Sequence, residues 1–376
     1  MYRELLPKIQ SLLSGKTTPI LLILGLRQTG KTTLVKNAVK DFKHQLFNFD
    51  LPSDQAEFVN QNRHSLETFA QRYRGQIILI DEVQKQPEAI PVIKHLYDQY
   101  QLKFVLTGSS ELKIKKGVSD TLAGRLKIFR LYPLSLEEMF IQQKQGLAAE
   151  PLPYDSAQTL LQKVLVYGSL PAVSNLPPQE WAGYLKDFTE TLLSKDILEI
   201  SAIRNPTKVM HTAKLLAMQV GQLVNVNELA VLTELSRSTI YDYLDILEQL
   251  SIIKRAYPLS TNERRAISSK CKVYFTDLGM RNYLIGNFSP LNSRLDGGSL
   301  LENLAYLSLA RTLDYSEQSY SLGFFRDEGG SELDMVLRRG NREQLLEVKK
   351  TGRPKRIGNV TYLSMENIYQ LGRIIE

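Results

Sequence analysis

Short apolar runs alternate with stretches of helical spacing over the first 130 residues. Ile20–Leu24 is a continuous apolar run closed by Gly25, the pattern of a parallel strand buried on both faces. Helical spacing follows over Thr32–Phe42, a second strand over Leu46–Phe49, and a mostly helical stretch over Ser53–Tyr73. Ile77–Ile80, Phe104–Leu106 and Ile128–Leu131 read as three further strands, with a helix over Glu88–Tyr100. Such alternation predicts an α/β fold with an open parallel sheet, and function at the carboxyl ends of its strands.

Beyond residue 150 the pattern changes. Pro151–Pro153 and the Pro177-Pro178 pair punctuate a helical region, and helical spacing resumes at Lys208. Asn227–Leu232 and Ser236–Leu250 read as two helices joined by Thr233–Leu235, a helix-turn-helix layout with Ser236 as N-cap. Ile252–Pro258 and Lys272–Phe275 are the expected strands of a wing. Ser299–Thr312 reads as a helix, Tyr320–Arg326 and Glu332–Leu337 as a hairpin around Asp327–Ser331, and Leu345–Lys349 as a further strand.

Composition narrows the class. The 376 residues are 43% hydrophobic and 23% charged, close to ordinary soluble chains. The single Cys271 excludes an internal disulfide and a cysteine zinc cluster, and four scattered histidines form no metal motif. No apolar run approaches the roughly 20 residues a membrane helix needs, and residues after Leu6 form no secretory stretch. A soluble, cytoplasmic chain with no membrane partner is the expectation. The formal net charge is +7. After residue 250 there are 19 Lys/Arg against 14 Asp/Glu, and the wing segment 252–275 supplies that whole excess. Lys254, Arg255, Arg264, Arg265, Lys270 and Lys272 are therefore the candidate nucleic-acid contacts. The second helix of the pair argues the other way, since Asp242, Asp245 and Glu248 outnumber Arg237 and repel phosphates. DNA-backbone binding led by the wing and packing against a protein both remain open.

The strongest motif lies at the end of the first strand. Gly25-Leu26-Arg27-Gln28-Thr29-Gly30-Lys31-Thr32 matches G-x-x-x-x-G-K-[ST] throughout. Its glycines let backbone N–H groups curl around phosphate oxygens at a helix N-terminus. Gly25, Arg27, Gln28, Thr29, Gly30, Lys31, Thr32 and Thr33 are the candidate nucleotide contacts, with Lys31 on the β/γ-phosphates and the Thr32 hydroxyl on Mg²⁺. Asp81 leaves the third strand where it can hold Mg²⁺ through water, and Glu82 is placed as general base toward the attacking water. Ser109, at the end of the fourth strand, is either a γ-phosphate or water contact or part of a plain polar turn.

Together with GLRQTGKTT (25–33), IDEVQ (80–84), LTGSS (106–110), AGRL (123–126) and LYPLSLE (131–137), these features resemble an AAA+ ATPase. More narrowly, they resemble the widespread bacterial and archaeal ATPases that end in a domain of unknown function. The likeness continues through YGSLP (167–171), with Gly168-Ser169 where relatives often carry two glycines, and KDI (195–197). The resemblance implies ATP with Mg²⁺, a P-loop AAA+ core over residues 1–150, a helical lid over 151–207 and a winged helix over 208–280. Arg125 lies where such proteins carry an arginine that reaches a neighbouring subunit, which requires a homo-oligomer. A contact within its own chain or a structural ion pair are the alternatives.

Residues 281–376 form the last expected domain. Asp334, followed by Glu347-Val348-Lys349, resembles the restriction-endonuclease-like fold of PD-(D/E)xK nucleases, with Leu333 where their proline often stands. Residues two apart share a strand face, so Glu347 and Lys349 point the same way. Asp334 and Glu347 are candidate metal ligands, Lys349 orients a nucleophile, and Glu302 completes the set from the preceding helix. The expected function is an ATPase coupled to binding or remodelling of DNA. An ATP-regulated DNA nuclease and an ATP-gated protein switch in signalling or defence are its rivals.

Overall fold

The computed structural model describes residues 2–15, 18–109, 121–144, 152–197, 205–259, 270–316, 319–327, 331–350, 356–357 and 359–371. They fall into two compact units, Met1–Tyr132 with Gln249–Ser251, and Pro133–Glu248 with Ile252–Glu376. Ser110, Arg264 and Arg265 lie outside the described residues. Among the described residues no helix is long and apolar enough to cross a membrane.

The first unit holds a five-stranded sheet in the order β2-β3-β4-β1-β5, with β1 Ile20–Leu24, β2 His44–Asn48, β3 Ile77–Asp81, β4 Lys103–Gly108 and β5 Leu126–Arg130. Every pairing is parallel. β1 and the apolar run of β3 are buried along their whole length, as an inner strand covered on both faces requires. β2 and β5 form the edges, which explains why Ile128 remains 45% exposed within an apolar sequence run. Helices α1 Leu6–Ser14, α2 Lys31–Val39, α3 Pro52–Ala56, α4 Arg63–Arg72 and α5 Ala89–Tyr100 complete the unit. The helical stretch expected over Ser53–Tyr73 is two helices. Asn60 adopts a left-handed backbone, and the Asn62 side chain accepts the Ser65 N–H while Ser65 answers the Asn62 N–H, starting α4 afresh. Phe47, Phe58, Phe69 and Tyr73 pack on one face of the sheet at ring separations of 4.6–6.0 Å. Each such pair adds about 0.5–1.5 kcal/mol beyond area burial.

The second unit begins with helices α6 Leu136–Gln143, α7 Tyr154–Tyr167, α8 Pro171–Asn175, α9 Trp181–Thr191 and α10 Pro206–Met218. α11 Val226–Thr233 and α12 Arg237–Gln249 follow, with the Ser236 hydroxyl accepting the Thr239 N–H at 3.1 Å as an N-cap. β6 Ile253–Ala256 pairs antiparallel with β7 Lys272–Phe275. α13 Leu278–Leu284 and α14 Gly297–Tyr315 lead into a second sheet, β8 Ser321–Arg326, β9 Glu332–Arg339, β10 Arg342–Val348, β11 Arg356–Ile357 and β12 Val360–Leu363. Its order is β11-β12-β10-β9-β8, antiparallel except for β10 with β12. The expected hairpin and further strand are present. α13 and the last two strands are additions, the strands being too short to show a period.

Candidate functional site

The loop between β1 and α2 is built by backbone geometry that its glycines permit. Gly25 has φ +157° and Gly30 has φ +90°, and a Cβ on Gly25 would meet the Leu131 carbonyl oxygen at 2.3 Å. Thr29 is fully buried and donates its hydroxyl to the Leu26 carbonyl at 2.8 Å, so its side chain fastens the loop from inside. Arg3, 1% exposed, does the same from behind, donating to the Tyr132 and Thr29 carbonyls. Gly30 then caps α2, whose unpaired N–H groups and positive end favour an anion. Lys31 is 5% exposed and donates to the Gly25 and Leu26 carbonyls, each at 3.0 Å. Arg27 is half-buried and Gln28 exposed on the loop, and Thr33 is exposed on α2.

Strand order brings the remaining groups together. Because β4 lies between β1 and β3, the ends of all three strands meet beside the loop. Thr32 donates to Asp81 Oδ2 at 2.8 Å, and Thr107 donates to Asp81 Oδ1. Glu82 adopts a left-handed backbone with φ +55° and donates its N–H to the Thr107 hydroxyl at 3.3 Å. The Gln84 amide donates to Glu82 Oε2 and to Ser109 Oγ at 3.1 Å, while Ser109 lies 3.4 Å from the same Glu82 oxygen. Gln84 is 6% exposed, and among the described residues its Oε1 has no hydrogen-bond partner. A hydroxyl joined to a carboxylate beside a loop of N–H donors fits Mg²⁺ with a phosphate chain, because that ion takes few protein oxygens and keeps several waters. Sequence reasoning missed three members of this network. Thr107 and Gln84 stand inside segments singled out for other residues, and nothing in the sequence marks Arg3.

Arg125 is held within its own chain. It forms an ion pair with Asp98 on α5 at 2.6 Å and donates to the Ala123 carbonyl at 3.2 Å. The hydrogen bond to Arg125 holds the Asp98 carboxyl below its usual range.

Among the described residues, three of the four candidate ribbon cations form ion pairs within the chain. Lys254 pairs with Asp314 at 3.3 Å. Arg255 joins Asp245 at 2.7 Å and Glu248 at 2.6 Å, taking up the acidic side of α12. Lys272 is 1% exposed, between Glu302 and Glu332, so it faces the interior instead of a phosphate backbone. Lys270 is exposed. The C-terminal candidates do converge in part. Asp334 on β9 accepts the Val348 N–H at 2.8 Å, and Lys349 pairs with Glu347. Burial pushes the Asp334 carboxyl up, with Glu347 adding to the rise and Lys272 opposing it. Glu302 accepts from Tyr274 and Lys272, so its charge is already met. Among the described residues no three acidic, histidine or cysteine side chains are arranged to hold a metal ion.

Comparison with known proteins assigns the first unit most clearly. Residues 17–140 match the family described as AAA domain, residues 158–291 a domain of unknown function (DUF8612) and residues 297–370 another (DUF4143). An uncharacterized protein of Mycobacterium tuberculosis is 27% identical over 347 residues, covering 89% of this chain and 71% of that one. One of Methanocaldococcus jannaschii is 25% identical over 368 residues, covering 89% and 76%. Among solved structures, the Walker-type ATPase PABY2304 of Pyrococcus abyssi shares the fold at a TM-score of 0.50 and 16% identity, covering 75% of this chain and 95% of that one. Residues 17–140 thus match an AAA domain, and the parallel sheet with its phosphate loop has the fold typical of a P-loop ATPase core, followed by helices and a separate C-terminal sheet.

Proposed function

We propose that this protein binds ATP with Mg²⁺ and hydrolyses it. The observation that carries this reading is the hydrogen bond from Thr32 to Asp81, with Glu82 next in sequence beside the phosphate loop. The loop N–H groups and the α2 N-terminus cradle the phosphates. Lys31 exchanges its bonds to the Gly25 and Leu26 carbonyls for the β/γ-phosphate oxygens. Thr32 and Asp81 would hold Mg²⁺, which would supply charge neutralisation on the transferred phosphoryl group. Glu82 takes the proton of the attacking water, and Gln84 with Ser109 fixes its carboxylate. In an assembly, Arg125 leaves Asp98 to reach a neighbouring subunit. Lys31→Ala should abolish nucleotide binding. Glu82→Gln should keep binding and lose turnover by about 10²- to 10⁴-fold. Unchanged turnover in Glu82→Gln would sink the proposal.

Hydrolysis then drives rearrangement of a partner, for which DNA at the ribbon is one reading. The internal pairing of Lys254, Arg255 and Lys272 favours the second, a protein partner gated by ATP. ATP turnover measured with and without DNA separates them, since stimulation by DNA supports the first.

A further inference from the structure

The C-terminal carboxylates share a charge with the ribbon that precedes them. Lys272 opens β7 with a side chain only 2% exposed. Its Nζ lies 3.0 Å from Glu302 Oε1 on α14 and 2.6 Å from Glu332 Oε1 on β9. The ammonium also sits 5.4 Å from the centroid of the Phe324 ring on β8. Tyr274 follows two residues later, on the same face of β7, and donates to the same Glu302 oxygen at 2.7 Å. Arg326 reaches the other oxygen of Glu332 at 3.5 Å. Asp334 shares the Glu332 face of β9, and its carboxyl interacts electrostatically with Lys272 and Glu302.

Burying a lone ammonium costs several kcal/mol or more, which only good geometry recovers. Here two carboxylates and an aromatic face supply it. An acidic group of this kind is ordinarily read as a divalent-ion site, but among the described residues the cations that meet it, Lys272 at the centre and Arg326 at the edge, both belong to the chain.

We propose that Lys272 is the resident cation of this cluster, fastening the ribbon to the C-terminal sheet and closing Glu302, Glu332 and Asp334 to a divalent metal ion. The carboxylates then serve as a clamp on the ribbon while Lys272 is seated. This inference is independent of the nucleotide site.

Mn²⁺ binding to the full chain, followed by electron paramagnetic resonance and by thermal melting, tests it. The native chain should have no Mn²⁺ site that depends on Asp334. Lys272→Met keeps the apolar stem and removes the charge. It should bind Mn²⁺ at least about tenfold tighter than the native chain, with a melting temperature that Mn²⁺ raises. Asp334→Asn in that background should remove both effects. If Lys272→Met does not fold alone, refolding that succeeds only with Mn²⁺ supports the proposal. Failure with and without the ion overturns it, as does a folded Lys272→Met or Lys272→Gln that ignores Mn²⁺. An Asp334-dependent Mn²⁺ site in the native chain overturns it equally.

Discussion

In the proposed function hydrolysis turns on Glu82, and the backbone of this residue is strained. A left-handed conformation at a non-glycine residue costs about 1–2 kcal/mol, and φ is +55° here. That geometry turns the chain sharply after Asp81 and lets the Gln84 amide hold the carboxylate. Among the described residues one buried oxygen of Gln84 has no partner, and its amide is held by Glu82 and Ser109. Gln84→Ala should lower kcat about tenfold while leaving the KM for ATP unchanged, because it misplaces a base without touching the phosphate loop. Equal changes in both constants would mean that Gln84 supports nucleotide binding instead. Thr107→Ala should be costlier. It removes a hydrogen bond to a charged group, worth about 1.5–3 kcal/mol, and frees the Glu82 N–H. Fluorescent-ATP titration in Mg²⁺ should show weaker binding for this variant.

At the scale of elements, the sharpest dependence is between the end of α7 and the start of α13. Asp277 caps α13 by accepting the Met280 N–H at 3.1 Å, and also accepts the Ser169 N–H at 2.8 Å. Gly168 at φ +72° makes this possible, since a Cβ there would lie 2.2 Å from Asp277 Oδ1. Gly168→Ala should therefore destabilise the second unit by about 1–3 kcal/mol, read as a lower melting temperature. Ser169, in place of the second glycine, contributes the N–H that any residue has, so the departure leaves this contact intact. Burial pushes the Asp277 carboxyl from 3.8 up to about 6, against the opposing pull of the Ser169, Met280, Gly279 and Leu170 N–H groups. The folded chain then binds the proton more tightly than the unfolded one. This contribution to stability is complete below 3.8 and is lost as pH rises through about 6. Asp296 has the opposite sign. Burial raises it, but Arg294 and Arg281 outweigh burial and hold it well below its usual range, so its contribution is lost only in stronger acid. Glu302 and Asp334 share the sign of Asp277, so the variant must isolate the effect. Asp277→Asn should flatten the fall in melting temperature between 3.8 and about 6. An unchanged slope would place the titration elsewhere.

Legibility in the sequence followed burial and locality. The inner strands β1, β3 and β4 were readable because strands covered on both faces become unbroken apolar runs. β5 was readable only approximately, its edge position leaving Ile128 exposed. The phosphate loop, Asp81 and Glu82 were readable because their chemistry is local in sequence. Thr107 and Gln84 were not assigned, because their roles exist only once β4 inserts between β1 and β3. Lys272 misled for the same reason, since a count of charges does not reveal that Glu302 and Glu332 close around one of them.

For the whole molecule, that pairing decides what the excess of positive charge can do. A cation contributes to nucleic-acid affinity by displacing counterions from phosphates, with a slope of log K against log salt near −0.9 per contact. Six free cations on segment 252–275 would give a slope of about −5. Lys254, Arg255 and Lys272 already neutralise carboxylates of their own chain. Releasing them exposes Asp314, Glu248 or Glu302 to the same phosphates, so the net gain is close to nothing. Lys270, Arg264 and Arg265 are then the remaining contributors, and DNA binding at this ribbon should show a slope no steeper than about −3. Lys254→Ala should leave that slope unchanged, and Lys270→Ala should reduce it by about one. Fluorescence anisotropy with a labelled duplex over a salt series makes the measurement. A slope near −5 that falls on Lys254→Ala would show that DNA strips the lysine from Asp314. A flat series, with no binding at low salt, would favour a protein as the partner of the proposed ATPase.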